Sequence, residues 1–330
     1  MAVRVAIAGL GLRGRQWGEA LRRIPGAEVA ACVDVSEDAL RGAAAALGIP
    51  SRRCFVRLDE ALDETRPDAV IVATSIDSHV EPSRAVLARR IPLLVEKPFA
   101  LTLREARGLA AMAADARVPV VVGQTYRYTG MTQVIKNALA AGTVGRVGLV
   151  VYQVYRGNRY LRPAVAALPT GVLWETAVHH IDLLRYLLRQ EVVAAAAESF
   201  ALPWSQVGPG AAMHVALTFA DGVRALLVAT YDSRPASSLQ FVGEYGTLVP
   251  RRRWLMLTGR GTLPRIVAAA RHQSPEPVLF HQLRRAMETG EEPECSARDN
   301  LQTVAVLEAC ARSAAEGRMI NPQDLFDEAV

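Results

Sequence analysis

The sequence predicts an α/β protein in two parts. Residues 1–125 read as a doubly wound parallel sheet, and residues 126–330 as an α+β domain with a largely antiparallel, open sheet. Three observations carry this. Short, apolar, β-branched runs alternate with helical segments through the first 125 residues, the pattern of βαβ units whose strands are buried on both faces. After Gly130 the alternation stops, and strand-like runs follow one another through turns. A chain of 330 residues is also long for a single hydrophobic core.

Taken in order, the strands of the first part are Val3–Ala8, Glu28–Val33, Ala69–Ala73, Pro92–Val95 and Pro119–Val122. Between them lie helical segments at Arg13–Arg23, Glu37–Leu47, Leu58–Glu64, His79–Arg89 and Leu103–Asp115. Ser36 and Thr102 each precede a helical run, where a short side-chain oxygen caps the free N–H groups of the first turn. In the second part a helix at Thr132–Ala141 leads to an extended stretch, Gly148–Tyr155, and a strong helix at Leu173–Leu188. Strand-like runs follow at Val192–Ser199, Ala211–Phe219, Val223–Tyr231, Ser238–Val242 and Trp254–Leu257. Turns such as Ala220-Asp221-Gly222-Val223 make antiparallel pairing the natural reading. Helices at Leu279–Thr289 and Ala297–Glu316 close the chain.

Composition excludes several classes. There is no run of about 18 apolar residues to span a bilayer, and the short stretch Val3–Leu10 lacks the cleavage site of a signal peptide. A cytoplasmic protein is the expectation. Cys32, Cys54, Cys295 and Cys310 are scattered, without the spacing of a zinc or redox motif, and no metal is expected. The net charge is +5, but the basic residues are spread along the chain, with one dense run at Arg251–Arg253. That argues against a nucleic-acid footprint. Of 38 basic residues only Lys97 and Lys136 are lysines, so a strong bias toward arginine has left lysine at two positions. An ammonium titrates and a guanidinium does not, which marks both.

Gly9-Leu10-Gly11-Leu12-Arg13-Gly14 follows the first strand and opens the first helix. Gly9 allows the tight turn, Gly11 lets backbone approach a pyrophosphate, and Gly14 lets helix and strand pack closely, with the anion at the helix N-terminus. A bare G-x-G-x-x-G is weak, and a glycine-rich turn in some other α/β protein is the competing reading. Asp34 changes the balance. It ends the second strand about 20 residues further on, where a carboxylate holds the ribose hydroxyls of a dinucleotide. Gly9, Gly11, Leu12, Arg13, Gly14 and Asp34 are therefore candidate cofactor residues. Asp34 favours NAD, while Ser36 and Arg41 leave NADP open.

Two further places carry chemistry. Glu96-Lys97-Pro98 follows a strand at the carboxyl edge of the sheet, where open α/β proteins bind ligands. Lys97 there can stabilise an alkoxide as hydride leaves, and Pro98 would fix the turn, in cis or trans. In Trp174–Asp182, Glu175, His179 and Asp182 recur at i, i+4 and i+7 and would share one helical face. A histidine backed by carboxylates is a suitable general base. Surface ion pairs, a core role for His180, and a histidine–carboxylate metal site are the competing readings.

At these residues the chain resembles the glucose–fructose oxidoreductase/inositol dehydrogenase (Gfo/Idh/MocA) family over essentially its whole length. The order matches: the glycine motif, Thr74-x-x-x-x-His79, Glu96-Lys97-Pro98, the Gly123–Tyr128 stretch, the acid–His–Asp helix at 175–182, and the tail Gly290–Gly317. The resemblance implies hydride transfer between a nicotinamide and a secondary alcohol or ketone of a sugar, cyclitol or related polyol, in a homodimer or homotetramer. It implies His179 as acid/base, Glu175 as orienting or relaying group, and Lys97 touching both substrate and nicotinamide ribose. Thr74, Ser75, His79 and Glu96 are placed at the cofactor, and Arg127, Tyr155, His180 and Tyr231 at the substrate. Glu175 stands where the family usually has Asp, and Ala177 where Gly is common. Within the same fold, a redox-assisted glycosidase or epimerase that retains NAD, and a non-catalytic dinucleotide sensor, are the alternatives. Retention of Lys97 and His179 argues against the sensor.

Overall fold

The computed structural model describes residues 2–157, 165, 168–259 and 263–328. Two compact units emerge, 1–125 with 274–301, and 126–273 with 302–330. The sequence reading placed everything after residue 125 in one domain. Segment 274–301 instead belongs with the first unit, for reasons visible in its bonding. The Val122 N–H donates to the Cys295 carbonyl at 2.9 Å, and the Gln124 amide to Asn300 Oδ1 at 3.0 Å.

In the first unit, β1 (Val3–Ala8), β2 (Ala27–Val33), β3 (Cys54–Phe55), β4 (Ala69–Val72), β5 (Leu93–Val95) and β6 (Val120–Val122) form one sheet ordered β3-β2-β1-β4-β5-β6. Every pairing in it is parallel. The strands run almost wholly buried, from Val5–Ala8 through Ala69–Val72 to Leu93–Val95, because helices cover both faces. Those helices are α1 (Leu12–Leu21), α2 (Glu37–Leu47), α3 (Leu58–Thr65), α4 (Val80–Ala88) and α5 (Leu103–Ala116). Ser36 and Thr102 cap α2 and α5 as expected, accepting from Ala39 N–H and Glu105 N–H. Strand order reverses between β1 and β4, the switch point outside which such sheets bind their ligands.

The second unit opens with a 3₁₀ turn at Thr125–Tyr128 and α6 (Gly130–Ala140), followed by β7 (Val147–Tyr155). A π-helical turn at Leu173–Ala177 runs into α7 (Val178–Leu188). Strands β8 (Val192–Phe200), β9 (Ala212–Phe219), β10 (Arg224–Thr230), β11 (Ala236–Gly243), β12 (Gly246–Arg251), β13 (Trp254–Gly259) and β14 (Arg265–Ala269) complete an eight-stranded sheet, β14-β13-β12-β11-β7-β10-β9-β8. All pairings are antiparallel except β7 with β10. Helices α8 (Pro275–Thr289), α9 (Ala297–Glu316) and α10 (Asp324–Glu328) end the chain. Strands β3, β12 and β14 were not read from the sequence. Of these, β3 is two residues long and β12 carries Pro250.

Period-two alternation sorts this sheet cleanly. Val150, Tyr152 and Val154 are buried on one face with Ala225, Leu227, Ala229, Leu239 and Phe241. The other face carries Leu149, Val151 and Val228, half-buried, and Leu226, which is 47% exposed. No helix among the described residues is long and apolar enough to cross a membrane.

Candidate active site

The carboxyl edge of the parallel sheet collects the expected residues of the first unit. Gly9 leaves β1 at φ +90, a conformation that favours glycine. A Cβ there would lie 2.6 Å from the backbone of Ala73 and Thr74 after β4. A Cβ on Gly14 would meet the Gly9 carbonyl oxygen at 1.8 Å, so helix and loop touch through bare backbone. Around Gly11 nothing lies within 4 Å of the Cβ position. That open space faces the amino end of α1, where free N–H groups await an anion. Asp34 accepts from the Leu10 N–H at 2.7 Å and the Ser36 N–H at 2.9 Å, holding its carboxylate against the loop. Arg41 is bound to Glu37 (3.3 Å) and Asp38 of its own helix, away from the Asp34 carboxylate's own bonds to Leu10 and Ser36. The cradle fits a dinucleotide with free ribose hydroxyls.

Several residues sit differently from their expected roles. Arg13 donates to Glu96 Oε1 at 2.8 Å and to Glu276 at 3.1 Å, and the Trp17 indole N–H reaches the same Glu96 oxygen at 2.7 Å. Glu96 is 4% exposed. It anchors α1 to the turn after β5, with Arg13 as its partner. Leu12, by contrast, is 62% exposed at the first position of α1. His79 is buried, with Nδ1 2.8 Å from the Pro98 carbonyl and Nε2 3.3 Å from the Thr74 carbonyl. It ties the 74–79 loop to the turn after β5, and burial pushes its pKa below the ordinary imidazole value. Thr74 Oγ1 donates to the Ser78 carbonyl (2.9 Å) and the Ser75 hydroxyl to that of Ser78 (3.1 Å). Lys97, half-buried, precedes a cis peptide bond to Pro98.

In the second unit the acid–His–Asp segment is not one regular helical face. Residues Leu173–Ala177 form a π turn, the i→i+5 arrangement found often at functional positions. Glu175 and His179 are both half-buried, but Asp182 turns inward. Its carboxylate accepts from Arg127 at 2.7 and 2.6 Å and from the Thr303 hydroxyl at 2.9 Å. Asp182 therefore does not back His179. Arg127, 2% exposed, is held in that ion pair rather than turned to a substrate.

The neighbours of the histidines are aromatic. The Tyr126 ring stacks on His179 with centroids 4.3 Å apart and 12° between planes. Tyr152 meets His180 edge-on at 4.5 Å, and Tyr126 meets it at 5.4 Å. His180, 2% exposed, is thus a core residue behind Tyr126, one of the readings left open from sequence. Tyr155 lies one residue off the alternation that buries Tyr152 on the inner face. Tyr231 is buried, its hydroxyl 2.7 Å from that of Thr176 in the π turn. The Arg156 guanidinium donates to the Tyr126 hydroxyl at 2.8 Å. Tyr126, Tyr152 and Arg156 were missed from the sequence. The buried–exposed alternation of β7 was the available signal for the latter two.

Residues 3–124 match the family model described as oxidoreductase family, NAD-binding Rossmann fold, and residues 132–249 match the GFO/IDH/MocA C-terminal domain. The chain belongs to the GFO/IDH/MocA oxidoreductase family. It is an NAD-binding oxidoreductase with a Rossmann domain. A D-apiose dehydrogenase of Paraburkholderia graminis is 28% identical, the alignment covering 98% of this chain and 91% of the relative. An inositol 2-dehydrogenase of Saccharopolyspora erythraea is 34% identical over 60% of this chain and 58% of its own. A solved oxidoreductase from Agrobacterium radiobacter, in complex with NAD+, L-tartaric acid and magnesium, superposes with a TM-score of 0.88 at 22% identity over 98% of this chain and all of its own. At that identity the likeness speaks to the fold.

Proposed function

We propose that this member of the GFO/IDH/MocA family oxidises a secondary alcohol of a sugar, cyclitol or related polyol, or reduces the corresponding ketone. The relatives' names supply the substrate class. The observation that carries the chemistry is the cradle at the amino end of α1, open at Gly11 and bordered by Asp34. Bound there, NAD supplies the hydride acceptor. Gly11 admits the pyrophosphate to the N-terminal N–H groups, and Asp34 takes the ribose hydroxyls. His179 accepts the hydroxyl proton at a ring nitrogen, with Tyr126 stacked on its face fixing the ring plane. Glu175, on the π turn one short step before it, orients the imidazole or passes the proton outward. Lys97 supplies fixed positive charge to the developing alkoxide. His79 and Glu96 keep the loops around Lys97 in place. The open face of the eight-stranded sheet, with Leu149, Val151, Leu226 and Val228, is the surface on which a second copy packs.

A single-turnover measurement of hydride transfer at 340 nm across a polyol panel tests the assignment. Oxidation by the wild type rises with pH as the base loses its proton, and Lys97→Met lowers the rate about a hundredfold, the scale of one lost oxyanion donor. Wild-type rates and an unchanged pH profile in His179→Ala overturn the role of the histidine.

A further inference from the structure

From the second unit alone we infer that the substrate carries a carboxylate, and that Arg156 is the residue that binds it. The inference rests on the polyol-oxidoreductase reading and narrows it to polyhydroxy acids, such as aldonates or uronates.

The starting point is how this protein treats its enclosed arginines. Arg127 has Asp182, Arg185 has Glu191 at 2.7 Å, and Arg13 has Glu96. Each guanidinium taken out of water is matched by a carboxylate, as the cost of burying charge demands. Arg156 has no such match. It is half-buried, its side chain makes one hydrogen bond, to the neutral Tyr126 hydroxyl, and no carboxylate lies within ion-pair distance among the described residues. A phenol accepts one N–H and leaves the charge uncompensated. Four further N–H groups of the fork remain for a planar, bidentate acceptor.

Position gives the residue its meaning. The Arg156 N–H donates to the Thr230 carbonyl at 2.7 Å, and its carbonyl accepts from the Ser233 N–H at 3.3 Å, so the pairing of β7 with β10 continues past Tyr155. The alternation that turns Tyr152 and Val154 inward then turns Arg156 inward as well. It emerges at the carboxyl end of β7, beside the end of β10, where the next residue, Tyr231, holds Thr176 of the π turn. From Arg156 to His179 the path is one hydrogen bond and one ring stack, through Tyr126. The Tyr152 phenol stands in the same group. Burial and Tyr126 push its pKa up, and Arg156 works against that rise.

A carboxylate on Arg156 would therefore hold one end of a short hydroxy acid, and a carbinol further along the same chain would lie at His179. The carboxylate takes no part in the chemistry. With NAD bound, oxidation would pass the carbinol hydrogen as hydride to the cofactor, and the O–H proton would go to His179. One guanidinium flanked by phenols balances a single negative charge. A phosphate monoester, with nearly two, would need a second cation.

Matched pairs decide the matter: gluconate against glucitol, glucuronate against glucose, and glucose 6-phosphate as the phosphate arm. Wild type is expected to favour each acid in kcat/KM by roughly 10- to 100-fold, the range of a charge-assisted hydrogen bond. Arg156→Gln should abolish that selectivity, and Arg156→Lys, with the charge but not the fork, should restore part of it. Calorimetry of gluconate with the NAD-loaded protein should show binding that is lost in Arg156→Gln. Equal turnover of acids and neutral polyols, or a preference for the phosphate ester, overturns the inference and leaves the polyol reading standing. Absence of any turnover overturns the polyol reading. In that event the calorimetry still decides, since gluconate heat lost in Arg156→Gln supports the carboxylate site and absence of heat in the wild type refutes it.

Discussion

Asp182→Asn separates a residue that holds the fold from one that serves the histidine. In the structure Asp182 and Arg127 each have side chains 2% exposed. They share two short hydrogen bonds, Thr303 adds a third, and Arg185 Nη1 stands 4.0 Å from the same carboxylate. The amide keeps the shape but removes the negative charge, leaving the Arg127 guanidinium buried against a neutral group. Breaking one side of such a pair costs about 3–5 kcal/mol. At roughly 2–4 °C per kcal/mol for a unit of this size, the melting temperature should fall by about 6–20 °C. Because Asp182 points away from His179, the pH dependence of hydride transfer in the surviving folded enzyme should stay where it is. The assay is calorimetric unfolding beside a single-turnover pH profile on the same preparation. The double variant Asp182→Leu with Arg127→Met should recover much of the loss, since no charge is then left uncompensated. A stable Asp182→Asn whose pH profile has moved would refute the reasoning and return Asp182 to the histidine.

Gly11→Ala and Gly14→Ala form a pair with opposite expectations. The first places a methyl in open space, so melting should be unchanged while NAD affinity, read by fluorescence titration, falls at least about tenfold, or 1.4 kcal/mol. The second drives a Cβ into the Gly9 carbonyl and should lower stability by roughly 1–3 kcal/mol even without cofactor. His79 is held neutral by burial, so the unfolded chain binds its proton at a higher pH than the folded one. Its contribution to stability is thus present above the ordinary imidazole value and is lost as pH falls through that value toward the lower folded one. Urea unfolding between pH 5 and 8 should show this component in the wild type and not in His79→Gln, and parallel curves would count against it. Leu226→Lys, on the open sheet face, should shift the wild-type oligomer toward monomer in light scattering, and a monomeric wild type would dismiss that interface.

The alternation of strand and helix, the glycine cradle and Asp34 were all legible in the sequence, because each depends on neighbours along the chain. A tight turn needs glycine where it stands, a capping serine acts within three residues, and an apolar run buried on both faces announces a parallel strand. The acid and histidine of the 175–182 segment were legible for the same reason. What tertiary structure decided was direction and partnership. His179 and Asp182 share the regular helix Val178–Leu188, but the Asp182 carboxylate is claimed by buried Arg127 and by Thr303, and the π turn before it sets only Glu175 out of the helical register. Glu96 and Arg13, read as cofactor contacts, satisfy each other because Trp17 and Glu276 enclose them. Segment 274–301 joins the first unit through bonds to residues more than 170 positions away, which no local pattern encodes. Tyr126 and Arg156 acquire their meaning only when the end of β7 and the 3₁₀ turn meet at His179. Periodicity records which way a side chain leaves its own element; which charge waits for it there is settled by the packing of distant segments.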